Sequence, residues 1–339
     1  MVYKTGNTVV HTLKGITLNI GQGEIFGIIG RSGAGKSALI RCINLLESPS
    51  SGAVIVDSCN LTTLTNEGLR QARRNIGMVF QHFNLLTSRT VYENVALPLE
   101  LAGCNKQQIE AAVRPILSLT DLSDKANLYP NQLNSPQKQK VAIARALVNQ
   151  PKILLCEEAT ASLDPKAKQS ILQLLSDINT QLNLTILLIT HELEVIKSIC
   201  TRVAVLHEGE IIEESTVLQL FANPQSKPAK EMIKAATRLD MPAALRHRLR
   251  ANASENCNPI LRISFAGSVA QQPLIAYVIQ QFNLTVNITQ AHLEKIRHDT
   301  IGIMIVEIMG DGEETHKAIQ FLQHKGLHVE VLGYAPRTA

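Results

Sequence analysis

The chain has 339 residues, 45% of them hydrophobic and 18% charged, with 33 Lys+Arg against 29 Asp+Glu. That length holds two domains with sizeable cores, and no apolar run reaches the ~18–20 residues that cross a bilayer. Residues 1–4 lead into polar sequence rather than a signal-peptide core, and six scattered cysteines without a Cys-x-x-Cys pair exclude a zinc or disulfide framework and indicate a reducing compartment.

Residues 24–30 are a short apolar run expected to form a strand, followed by a Gly-rich turn and a helical pattern over 36–46. A second run, 74–80, ends at Gln81. From 83 to 150 Ala, Leu and Gln recur at helical spacing, which predicts a helical insert. Apolar runs at 152–156, 185–190 and 202–206 alternate with helical patterns such as 165–182. Strands alternating with helices predict a mostly parallel sheet covered on both faces.

Periodicity fades over 237–258, where polar residues and Pro242 gather, and Leu245 and Leu249 allow one short helix. This stretch is the expected linker between a domain at 1–236 and another at 259–339. The second domain reads strand 260–265, helix 272–282, strands 285–290 and 301–309, helix 313–325, strand 327–332. That β-α-β-β-α-β order predicts a ferredoxin-like sandwich, one sheet with two helices on one face.

The sharpest motif is Gly30-Arg31-Ser32-Gly33-Ala34-Gly35-Lys36-Ser37, a complete G-x-x-x-x-G-K-[ST] between an expected strand and an expected helix. Its glycines let successive N–H groups face a phosphate, the helix start adds positive charge, Lys36 reaches the terminal phosphates and Ser37 can meet magnesium. Ile153-Leu154-Leu155-Cys156 ends in Glu157 and Glu158, two acids placed to serve a metal and an attacking water. His191 follows the run 185–190 and can project from the sheet's carboxyl edge.

These residues, with 133–140 and 153–165, stand in the order and spacing of an ATP-binding-cassette ATPase. Residues 37–47, 73–101 and 185–192, and a tail at 259–335, resemble more narrowly the ATP-binding subunit of the bacterial methionine importer, which carries a small regulatory domain behind its cassette. The likeness spans essentially the whole chain apart from the N-terminus, where the family's first strand is lacking. The fold it implies is a P-loop NTPase cassette (mostly parallel sheet, antiparallel subsheet, helical insert about 83–150) followed by an α+β ferredoxin-like domain.

The resemblance also implies roles. Tyr3 stacks on adenine; Gly30, Arg31, Ser32, Gly33, Ala34, Gly35, Lys36, Ser37 and Ala38 hold ATP; Ser37, Gln81 and Glu157 hold Mg2+. Glu158 is the general base, His191 contacts the γ-phosphate and positions Glu158, and Gln81 meets the attacking water. Asp164 bridges to a second copy of the chain, whose ATP meets the signature Asn134, Ser135, Pro136 and Gln137. The implied partners are that second copy, two transmembrane permease subunits and, indirectly, a periplasmic binding protein, with the chain peripheral on the cytoplasmic face of the inner membrane. Methionine is the implied effector of the tail, at residues the sequence does not identify. A diffuse +4 charge with 4% aromatic residues and no Trp implies no nucleic-acid partner.

Four features depart from the family. The signature, usually Leu-Ser-Gly-Gly-Gln, has no glycine here, and Pro136 has no N–H to offer a phosphate. Glu157 replaces Asp, Ala38 replaces Thr, and Ala161-Ser162 inverts the usual order. The alternative reading is therefore a cassette with impaired hydrolysis, acting as a regulatory or inactive subunit. His292, His298, His316, His324 and His328 match no zinc spacing and read as surface residues.

Overall fold

The computed structural model describes residues 1–5, 8–237, 243–252, 257–297 and 299–337, with backbone only at 2–5, 8–11, 237, 243, 244, 268 and 271. The chain separates into two compact units, Met1–Glu214 and Ser215–Ala339.

The first unit opens with an antiparallel ribbon of β1 (Val2–Thr5) and β2 (Thr8–His11). Next come β3 (Ile25–Ile29), α1 (Lys36–Ile43), a second ribbon of β4 (Ile55–Val56) and β5 (Cys59–Asn60), α2 (Asn66–Ala72) and β6 (Ile76–Val79). The helical insert holds α3 (Val91–Leu101), α4 (Lys106–Leu119) and α5 (Ser135–Leu147). Then follow β7 (Ile153–Glu157), α6 (Pro165–Leu182), β8 (Thr185–Thr190), α7 (Leu193–Ile199), β9 (Arg202–His207) and β10 (Glu210–Thr216).

One sheet in the order β10-β9-β3-β8-β7-β6 organises this unit. Its pairs β9–β3, β3–β8, β8–β7 and β7–β6 are parallel. Every residue of β3 and β8 is buried, as expected of strands covered on both faces, and this is why each reads as an unbroken apolar run. Phe26, Ile28, Ile40, Leu155, Leu187 and Ile189 share one core. The insert has its own core, where Val91, Val95, Val113, Leu117, Val141 and Ala144 meet. The antiparallel part forms two separate ribbons rather than one continuous subsheet. Helix α1 stops three residues short of the expected end, since Asn44 takes the C-cap and Leu45 turns to φ +52°.

The second unit comprises α8 (Val217–Ala222), α9 (Lys227–Thr237), α10 (Ala243–Arg248), β11 (Cys257–Ala266), α11 (Leu274–Phe282), β12 (Thr285–Ile296), β13 (Asp299–Met309), α12 (Gly312–His324) and β14 (His328–Pro336). Its sheet runs β12-β13-β11-β14, antiparallel throughout, which is the ferredoxin-like order. Leu261, Ile263, Val306 and Ile308 face Val278 of α11 and Ala318 and Leu322 of α12.

Strand β11 starts earlier than expected, at Cys257, and β14 ends later, at Pro336; two further features differ from the sequence reading. Strand β12 continues six residues past 290, because 290–296 stay paired with β13 beyond a bulge at Ile288/Gln290. Its apolar residues are split, Leu293 exposed and Ile296 buried, so the stretch carries no continuous apolar face. The sheet's other face is also covered: Leu245 of α10 packs beside Ile260, Ile305 and Ala335, and α8 lies against β11 and β13.

Candidate active site

The crevice at the carboxyl ends of β3, β7 and β8 gathers the charged residues. After β3 the chain turns through Gly33 and Gly35, at φ +80° and +103°, a region open to glycine without steric cost. Gly35 is the N-cap of α1 and no side chain caps that helix, so its first-turn N–H groups have no intrahelical acceptor. A Cβ on Gly35 would stand 2.8 Å from the Thr12 carbonyl oxygen. The Gly209 N–H donates to the Ala34 carbonyl at 3.0 Å, fixing the loop to the β9–β10 turn. Lys36 Nζ donates to the carbonyls of Gly30 (2.8 Å) and Arg31 (3.1 Å). The loop is thus a preformed cradle of N–H groups with a cation folded over it.

Lys36 is 9% exposed and stands 3.9 Å from Glu158 Oε1, whose side chain is 12% exposed. Burial lowers the Lys36 pKa from its ordinary value, and the Glu158 charge opposes that shift. Glu158 is itself in the left-handed region, φ +49°, with its N–H donating to the Ile189 carbonyl of β8 at 2.9 Å. A non-glycine residue in that conformation is held there by its surroundings; here it turns the chain out of β7 and swings the carboxylate towards Lys36. His191 Nδ1 donates to the Glu158 carboxylate at 2.9 Å, which leaves Nε2 for another partner. Glu192 fixes the His191 turn, its N–H donating to Thr190 Oγ1 at 3.0 Å and its carboxylate pairing with Lys168. Glu157, one residue earlier, ends β7 and is buried.

Lys36, Glu158 and His191 are therefore brought into one chain of contacts. Gln81 is exposed in the turn after β6, the strand beside β7. The loop beyond it holds Phe83 and Asn84 at φ +43° and +51°, and the Arg145 guanidinium, near the end of α5, donates to both their carbonyls. Burial lowers the Arg145 pKa. This clamp was not legible in the sequence, since its partners are about sixty positions away and are backbone atoms.

The other expected site residues fall elsewhere. Asn134 is the N-cap of α5, accepting from the Gln137 N–H at 3.0 Å, while Gln137 Oε1 accepts from the Asn134 N–H at 3.0 Å. Ser135 and Pro136 are that helix's first two residues. The Asn-x-x-Gln spacing was the available signal for this capping box. Asp164 caps α6, accepting from the N–H groups of Lys166 and Ala167 at 3.1 and 3.0 Å. Tyr3 lies in β1 opposite Val10, and its side chain, like His298, lies outside the described residues.

Hard oxygen donors from Ser37, Glu157 and Gln81 at neighbouring loops suit magnesium, which keeps waters and phosphate oxygens in its shell rather than an all-protein cage. No cluster of three His, Cys, Asp or Glu able to hold a metal occurs among the described residues.

A phosphate cradle at a helix start, beside a carboxylate–histidine pair on the carboxyl edge of a parallel sheet with a helical insert, defines a P-loop ATPase of the ATP-binding-cassette class. Residues 13–161 match the ABC transporter family and residues 259–331 the NIL domain. The cassette MJ0796, solved as a dimer in a post-hydrolysis state with ADP and Pi, is 37% identical and superposes with TM-score 0.59 over 64% of this chain and 95% of its own. CbiO1 from Clostridium perfringens, part of the ABC transporter complex cbiONQ, gives 30% identity and TM-score 0.61 over 73% and 94%. The methionine import ATP-binding protein MetN of Chromohalobacter salexigens is 51% identical over 99% of this chain and 97% of its own length. That of Coxiella burnetii is 52% identical over 96% and 93%. The chain belongs to the family of methionine import ATP-binding proteins: an ATP-binding cassette followed by a NIL domain. Among its described residues no helix is long and apolar enough to cross a membrane.

Proposed function

We propose that this chain is the ATP-hydrolysing subunit of an importer that drives methionine across the inner membrane from its cytoplasmic face. The Lys36–Glu158–His191 arrangement carries the hydrolytic part of this reading, and the full-length similarity to methionine import ATP-binding proteins carries the cargo. Residues 1–236 act as the ATPase domain, 237–258 as a linker and 259–339 as a regulatory domain that takes methionine as effector.

In this reading Tyr3 stacks on adenine and the loop Gly30, Arg31, Ser32, Gly33, Ala34, Gly35, Lys36, Ser37, with Ala38, cradles the phosphates. Ser37, Gln81 and Glu157 would hold magnesium, which when bound neutralises charge on the β- and γ-phosphate oxygens. Glu158 takes the proton of the water that attacks the γ-phosphorus, ADP departs, and Lys36 holds the charge that develops on the phosphate oxygens. His191 fixes the Glu158 carboxylate through Nδ1 and presents Nε2 to the γ-phosphate. Two copies close head to tail on ATP, with Asp164 and the signature residues Asn134, Ser135, Pro136 and Gln137 completing each other's site. ATP supplies contacts present only in the closed pair, and hydrolysis removes them. Two permease subunits, sensed through the loop after Gln81, convert closure to transport of the amino acid brought by a periplasmic binding protein.

One observation favours a second reading, a cassette of weak turnover. The capping box uses the Asn134 side chain and the Gln137 N–H within one chain, and Pro136 has none to give. Uptake of labelled methionine by vesicles holding the assembled transporter separates the two. ATP-driven uptake supports the motor; nucleotide binding without uptake or hydrolysis supports the weak cassette.

A further inference from the structure

The second unit holds a cavity of about 360 Å3 between the α8–α9 segment and the face of the sheet away from α11 and α12. That volume lies within the range of small-molecule pockets. Its floor is apolar: Phe221 of α8, Ile233 of α9 and Ile303 of β13 are all buried. Among them is Ser264 of β11, 4% exposed and opposite both Ile303 and His328 in the sheet register. Its hydroxyl forms no hydrogen bond among the described residues. Ser264 lines the cavity, so its hydroxyl is open to water there, and a polar ligand group can take that water's place.

The rim is charged and its balance is basic. Lys227, Lys230 and Lys234 recur at i, i+3 and i+7, so they share one face of α9. Arg262 adds a fourth cation from the sheet and is paired with Glu330 at 3.0 Å; Glu231 is the second acid. Four bases thus face two acids, and Lys227 and Lys230 make no ion pair among the described residues. A concave surface with unmatched cations over an apolar floor concentrates anions.

We propose that this cavity binds a small organic anion, an apolar body bearing a carboxylate or a phosphate. The body lies on Phe221 and Ile303, the Ser264 O–H donates to an oxygen of the anionic group, and Lys227 and Lys230 hold that group's charge. The site lies within the compact unit Ser215–Ala339, includes none of the residues assigned to ATP, and its test involves no turnover. Its failure therefore leaves the ATPase reading standing, and failure of that reading leaves the site standing.

The chain has no Trp, so His328→Trp places a single indole at the rim. The full-length chain, its phosphate loop filled with saturating ADP, is titrated with hexanoate and hexyl phosphate, and with hexanol and inorganic phosphate as controls. The expected result is saturable change in indole emission with an organic anion at least about tenfold tighter than with either control. The tighter of the two anions assigns the carboxylate or the phosphate class. Lys227→Glu with Lys230→Glu weakens that binding about tenfold at unchanged melting temperature, and Ser264→Ala weakens it several-fold. In the chain that retains His328, the same anion raises the melting temperature and the double charge reversal removes the rise. Equal affinity for hexanol, indifference to the charge reversal, or no saturable response to either anion overturns the proposal.

Discussion

Two helix starts in the first unit make opposite use of the same backbone groups. Helix α1 begins at a left-handed glycine with no side-chain cap, and its N–H groups face the loop that Lys36 closes. Helix α5 begins with Asn134 and Gln137 bonded to each other's N–H, and its second residue, Pro136, has no N–H. An anion is drawn to the first terminus and finds the second already satisfied. The phosphate cradle is therefore built within one chain, and under the proposed function the contribution of α5 to a partner's nucleotide would be the diminished part. The same boxes at Thr90/Glu93, Asn105/Gln108 and Thr216/Gln219 show that this is an ordinary folding device of the chain. At α5 it occupies a place that the ATPase reading reserves for a phosphate.

The contrast can be broken at its closed end. Ser135→Gly with Pro136→Gly returns an N–H and removes a Cβ at the start of α5. A preorganised donor is worth ~10²–10³ in rate, so we predict that turnover of the assembled transporter rises by up to about 10². Unchanged turnover in the double variant would show that this helix start does not limit hydrolysis.

Breaking the open end acts on binding. Lys36→Ala removes the cation folded over the loop; a charge-assisted hydrogen bond of ~1.5–3 kcal/mol corresponds to about 10- to 100-fold in affinity. Equilibrium binding of a fluorescent ATP analogue checks this, and the matching change at α5, Gln137→Ala, should leave binding by the isolated chain untouched.

A smaller effect sharpens the claim that the α5 box is structural. Asn134→Ala deletes the cap and should cost about 1 kcal/mol of stability, read by urea unfolding, whether or not nucleotide is present. A loss confined to the ATP-bound state would mean that Asn134 serves the phosphate rather than its own helix.

The smallest effect concerns the strand beneath the site. Burial pushes the Cys156 thiol up to about 12 from its ordinary 9.0. A folded pKa above the unfolded one means the unfolded chain ionises first. Stability from this group is therefore full below about pH 9 and falls as pH rises from there towards 12. Iodoacetamide at pH 8 should label exposed Cys59 and spare Cys156 until denaturant is added, as mass spectrometry of the digested protein would show.

The phosphate loop was legible because its chemistry needs eight consecutive residues, and β3 and β8 because burial on both faces demands an unbroken apolar run. The contact of Glu158 with His191 was legible only through family likeness, since it depends on β7 and β8 lying side by side. The left-handed turn at Glu158 carried no signal in composition. Arg145 was missed because it grips main-chain oxygens of a loop it does not adjoin in sequence. Over residues 259–339 the order of elements was read correctly, but the outer half of β12 was not, nor were α8 and α9, which pack with this unit. Its residues, Ala291 to Ile296, are held by pairing with β13, an interaction between backbones to which side-chain hydropathy is blind.

The most direct test of the central claim is Mg-ATP turnover by the chain assembled with its permease subunits, measured beside Glu158→Gln. A general base contributes ~10²–10⁴ in rate. The account predicts measurable turnover that the substitution reduces by about that factor while ATP binding persists. Turnover equal in both proteins would contradict it, because the carboxylate held between Lys36 and His191 would then not be the group that activates water.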